Sequence, residues 1–132
     1  MYLRFTTRFI NPYGEPETGI FMALKFLRDD YALTTEEHTN QLKELSDWFS
    51  KNLDKPTRFS KGTSKVNADI SLSWFKDSAQ EHIQKMQHLI KIAERYDLII
   101  DRIASKNPGY IVFEDEYQIS AVPFKTDRKR VM

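Results

Sequence analysis

The sequence predicts an α+β fold, a mostly antiparallel sheet of about five strands with helices packed on one face. Three observations carry that expectation. The chain opens on a period-two alternation, its middle holds long apolar stripes at helical spacing, and two β-rich runs flank an acidic triplet near its end. The predicted order is β-α-α-β-α-β-β-β.

Each element has a local cause. Along 2–9, Leu3, Phe5 and Phe9 alternate with Arg4, Thr6 and Arg8, which gives a strand with one apolar and one polar face. Asn11-Pro12-Tyr13-Gly14 and Glu15-Pro16 carry turn chemistry and predict a loop of about ten residues. From Ile20, the positions Phe21, Leu24, Leu27 and Tyr31 follow the helical repeat. A second helix starts at Thr34 or Thr35, a threonine cap followed by Glu36 and Glu37. Its stripe is Leu42, Leu45, Trp48, Phe49 and Leu53, and Pro56 closes it.

Residues 68–75 predict a second strand, with Ile70, Leu72 and Trp74 on one face and Ser71, Ser73 and Phe75 on the other. Asp77 with Gln80 reads as a capping box for the longest helix. That helix buries Ala79, Ile83, Met86, Leu89, Ile90, Ala93 and Tyr96. Residues 98–104 form a third strand, and Asn107-Pro108-Gly109 a turn. Residues 110–113 and 117–122 form a hairpin around Glu114-Asp115-Glu116.

The 132 residues read as one α+β domain, 1–132, with a basic loop at 54–67 and a tail at 125–132 expected to fray. A net charge of +1 names no partner by itself. The absence of cysteine excludes thiolate chemistry, disulfides and cysteine-built zinc sites. No signal peptide or apolar run of membrane length is visible, so the expectation is a cytoplasmic protein with no membrane partner.

Tyr2-Leu3-Arg4-Phe5, Trp74-Phe75-Lys76-Asp77-Ser78, Pro108-Gly109-Tyr110-Ile111-Val112 with Glu114-Asp115-Glu116-Tyr117-Gln118, and Pro123-Phe124 resemble a bacterial family of small single-domain proteins. The resemblance spans nearly the whole chain except 55–67, and it implies no activity.

The candidate sites fall into four groups. His38, His82 and His88 lack metal-ligand spacing and read as solvated or capping residues, so neither a metal nor any other cofactor is expected. Lys55, Arg58, Phe59, Lys61 and Lys65 combine phosphate-binding charge with a stacking ring, a nucleic-acid candidate. Arg4, Ser73 and Glu116, with Ser71 and Glu114 as alternates, resemble the Arg-Ser-Glu arrangement of ADP-ribosyltransferases. That resemblance implies an NAD- or nucleotide-handling enzyme, in which the arginine holds a phosphate and the glutamate steadies developing positive charge. Finally, Arg4, Arg8, Phe75 and Tyr117 would share an open sheet face of the composition that protein interfaces favour. The leading expectation is therefore a non-enzymatic interaction module, a regulator or inhibitor docking that face on another protein or a second copy. The enzyme reading comes second and nucleic-acid binding third.

Overall fold

The computed structural model describes residues 1–10, 14, 16–29, 34–55 and 71–124. Among them the elements run β1 (Tyr2–Ile10), β2 (Pro16–Gly19), α1 (Ile20–Asp29), α2 (Glu36–Asn52), β3 (Leu72–Lys76), α3 (Gln80–Glu94), β4 (Ile100–Ser105), β5 (Tyr110–Glu114) and β6 (Gln118–Val122). Antiparallel pairing joins β2 to β1, β1 to β3, β3 to β6 and β6 to β5, and β4 also pairs with β1. The α+β class and the predicted order hold. The addition is β2, where turn-forming residues predict only loop. Residues 56–70 and 125–132, with most of the basic loop and all of the tail, lie outside the described residues.

The chain divides into two compact units, one of residues 1–4, 54–83 and 103–132, the other of residues 5–53 and 84–102. In the first, β3 sits between β1 and β6. Tyr2 faces Lys76 and Leu3 faces Phe75, while Leu72, Ser73, Trp74 and Phe75 face Ala121, Ser120, Ile119 and Gln118. Residues facing each other across a pair share a side of the sheet. Trp74, Ile119 and Ala121 therefore build one fully buried cluster, against which Tyr2, Leu72 and Ile103 pack. Burying a side chain as large as Trp74 contributes at least about 2–3 kcal/mol. Phe75 points to the opposite side and is also buried.

In the second unit, α1 buries Ile20, Leu24 and Leu27, one stripe at helical spacing. Helix α2 is capped by Thr35, whose hydroxyl accepts the His38 N–H at 3.2 Å. Its buried stripe is Thr39, Leu42, Leu45 and Phe49. Thr39 enters the core because its hydroxyl is hydrogen-bonded to that of Thr34 at 2.5 Å, so neither polar group is buried alone. Phe21 meets Phe49 edge to face at 5.1 Å.

Helix α3 begins at Gln80, beyond the Asp77 expected to cap it, after a turn in which the Ala79 N–H donates to the Lys76 carbonyl at 3.0 Å. Ala79 just before it and His82, Met86, Leu89, Ile92 and Ala93 within it are buried, whereas Ile83, Ile90 and Tyr96 are only partly buried. Tyr96 lies past the helix end, where Asp97 takes φ 62°. The left-handed residue turns the chain, and the Leu98 N–H reaches back to the Ala93 carbonyl at 3.3 Å.

Candidate functional site

The proposed catalytic residues all belong to the β1–β3–β6 unit. Continuing the register of Leu3 opposite Phe75 sets Arg4 opposite Trp74, on the same side of the sheet. Arg4 Nη1 donates to the Ser73 main-chain carbonyl at 3.1 Å. Arginine and serine are thus neighbours, but through the backbone rather than the hydroxyl. Glu116 lies in the β5–β6 turn, past Gln118, which faces Phe75. By register it stands about 10 Å further along the strands than Arg4 and about two strand spacings away. The three residues implied by the ADP-ribosyltransferase resemblance do not converge.

Two polar atoms beside that pair stand out. Arg4 Nε and Trp74 Nε1 are buried without a hydrogen-bond partner among the described residues. Burial holds the Arg4 pKa below the ordinary arginine value, because desolvation disfavours the charged form. The guanidinium nonetheless stays protonated at neutral pH.

The expected open face of Arg4, Arg8, Phe75 and Tyr117 does not form, because by register Arg4 lies on the Trp74 side of the sheet and Phe75 on the opposite side. Phe75 is only 7% exposed, and Thr6 is buried between the two arginines of β1. Phe75 sits 6.2 Å from the His82 ring, which in turn lies 4.3 Å from Tyr117. His82 is therefore a core histidine rather than a solvated one, because the first turn of α3 delivers its ring between Phe75 and Tyr117. Alternation had assigned Phe75 to the polar face, but a helix turn lies against that side of β3. Tyr117 is at the surface, and its phenol pKa is raised above the usual value of 10.0, chiefly by the charge of Glu116. Arg8 is exposed, with its Nε 3.4 Å from the Asp101 carboxylate.

A different apolar surface appears on β5. This strand ends the pairing order, and among the described residues nothing pairs with its outer edge. Tyr110 is 57% exposed and Ile111 is 38% exposed. The Tyr110 ring meets Phe124 edge to face at 4.8 Å. Between Ile111 and Phe113 the register with β6 shifts, so an irregularity interrupts the ladder there. At the far end, Asp115 Oδ1 accepts the N–H groups of Tyr117 at 2.8 Å and Gln118 at 3.0 Å. The Gln118 side-chain amide donates to Asp115 Oδ2 and to the Asp54 carbonyl, tying the turn to the start of the 54–67 segment. Lys76 pairs with Glu114 at 2.5 Å, leaving Glu116 as the exposed carboxylate of the triplet with no ion pair among the described residues.

Sequence reasoning identified β5 as a strand but not as a binding element. The run Tyr110-Ile111-Val112-Phe113 shows an apolar surface but not which strand lies beside it. Its position at the end of the order leaves part of that surface in solvent.

Of the nucleic-acid candidates, Lys55 is exposed, while Arg58, Phe59, Lys61 and Lys65 lie outside the described residues. Among the described residues no group of three His, Asp or Glu side chains could hold a metal ion, and no helix is long and apolar enough to cross a membrane. No family profile, curated protein or solved structure matches the chain.

Proposed function

We propose that this chain is a non-enzymatic protein-interaction module, a cytoplasmic regulator or inhibitor that takes an extended segment of another protein as an added strand on β5. The single observation that supports the reading is the exposure of Tyr110 and Ile111 on the strand that ends the sheet order. Strand addition supplies affinity through main-chain hydrogen bonds, and exposed side chains of the edge supply selectivity. An unprotected edge is otherwise a liability, and β5 carries neither proline nor lysine to blunt it.

The docking element thus moves from the sheet face to the sheet edge. Phe75 is taken up by the core, whereas Tyr110 and Ile111 remain available. The acidic turn at one end of β5, with Glu116 exposed, favours a partner segment that is apolar in its centre and carries lysine or arginine where it passes residues 114–116.

The test is capture of partners from the native host by wild-type protein and by Ile111→Lys, read by native mass spectrometry. The expected result is a stoichiometric protein companion that protects β5 amides from hydrogen exchange and is lost from Ile111→Lys. A companion held equally well by the variant, or no protein companion at all, would count against the reading.

A further inference from the structure

We infer that Arg4 and Trp74 form a binding site for an oxyanion group, the carboxylate or phosphate of a small ligand, where β1 pairs with β3. The site is separate from the β5 edge and does not depend on its role.

The inference starts from two donors that lack acceptors. The Trp74 side chain is 1% exposed, and its indole N–H is buried with no partner among the described residues. An indole nitrogen can only donate, so a second donor beside it cannot satisfy it. The neighbouring donor, by register on the same side of the sheet, is Arg4 Nε, which is buried and equally without a partner. Leaving a buried donor unsatisfied is costly, and more so when the group is charged.

Charge sharpens the argument. The partner that holds Arg4 is the neutral Ser73 carbonyl, and among the described residues no carboxylate forms an ion pair with it. A water molecule can accept hydrogen bonds from such donors but leaves the guanidinium charge uncompensated. An oxyanion does both.

The geometry of the guanidinium selects the ligand chemistry. Nη1 is committed to Ser73, and the edge that remains is formed by Nε–H and Nη2–H. Those two N–H bonds are parallel and match the paired oxygens of a carboxylate or a phosphate. By register the Trp74 indole lies on the same side of the sheet as this fork, and Arg4 as a whole is only partly buried.

The experiment is a titration of the full chain, followed by 1H–15N NMR on the tryptophan indole and arginine Nε–H signals. Sodium phosphate and sodium acetate are the probes, with sodium chloride at matched ionic strength as the reference. Trp48, on α2, is the internal control. The expected result is saturable movement of the Trp74 and Arg4 signals with at least one probe while Trp48 stays still. Saturation by phosphate alone assigns a phosphate site, and saturation by acetate assigns a carboxylate site. Arg4→Lys keeps the charge but loses the fork, and should weaken the response at least about tenfold with the amide spectrum otherwise preserved. Shifts no larger than those in chloride would overturn the assignment. So would equal movement of Trp48, or undiminished binding by Arg4→Lys.

Discussion

Gly109 lies directly against the Val122 carbonyl. A Cβ placed on it would stand 2.1 Å from that oxygen and 2.7 Å from the carbonyl carbon, and its φ of 142° is one that side chains with a Cβ rarely adopt. Both obstacles are backbone, so no side-chain rotation relieves them. Gly109→Ala should therefore destabilise the β5–β6 hairpin by about 3 kcal/mol or more, combining strain with overpacking. Urea denaturation measures it, and a loss below about 0.5 kcal/mol would mean that the two backbones are not in contact.

Phe75 offers a direct contrast between a binding residue and a core residue. Because it is buried beside Leu3 and His82, Phe75→Ala should cost about 3–5 kcal/mol and Phe75→Leu less than about 1.5 kcal/mol. A docking residue on an open face would show the reverse pattern, with stability unchanged and partner binding lost. Thermal unfolding of the two variants separates the cases.

The β5–β6 turn depends on one carboxylate. Asp115 accepts two main-chain N–H groups and the Gln118 amide, so Asp115→Ala removes three acceptor contacts at once. The expected loss is about 1–3 kcal/mol, with Asp115→Asn intermediate because it keeps one side-chain carbonyl. Hydrogen exchange should quicken at Tyr117 and Gln118 before it does at Ile119 and Ser120, and uniform quickening would argue against a local role.

Tyr117 should ionise at a higher pH than an ordinary tyrosine, because Glu116 opposes a second negative charge beside it. A phenol whose folded-state pKa is raised binds its proton more tightly folded than unfolded. Its contribution to stability is complete below the unfolded value near 10 and is lost as pH rises through the folded value. Glu116→Gln should move the Tyr117 titration back toward 10, as followed by ultraviolet absorbance or NMR. An unchanged midpoint would remove Glu116 as the cause.

The order of elements was legible because helices and strands bury their apolar residues at different periods, and both periods are clean here. The Thr35 cap, the α2 stripe through Leu42, Leu45 and Phe49, and the hairpin around Asp115 follow from local chemistry alone. The misreadings share one form, a correct local pattern whose surroundings were unknown. Pro16 and its neighbours carry turn chemistry, yet they pair with β1 as Ile10 faces Pro16 and Phe9 faces Glu17. On α3, hydropathy favoured Ile83 over His82, although either can follow Ala79 on one helical face. The histidine is taken inward because Phe75 and Tyr117 provide rings to stack on.

By itself the sequence determined the α+β class, the succession of strands and helices, and the caps and turns that separate them. Those properties depend on neighbours a few residues away, through backbone dihedrals, hydrogen-bond capping and hydrophobic period. Tertiary structure alone decided that Phe75 is core and Ile111 is surface, and that Arg4 finds the Ser73 carbonyl and, among the described residues, no carboxylate. Burial and pairing depend on which strand lies next to which, and residues such as Arg4 and Ser73, 69 positions apart in the chain, meet only when the sheet is assembled.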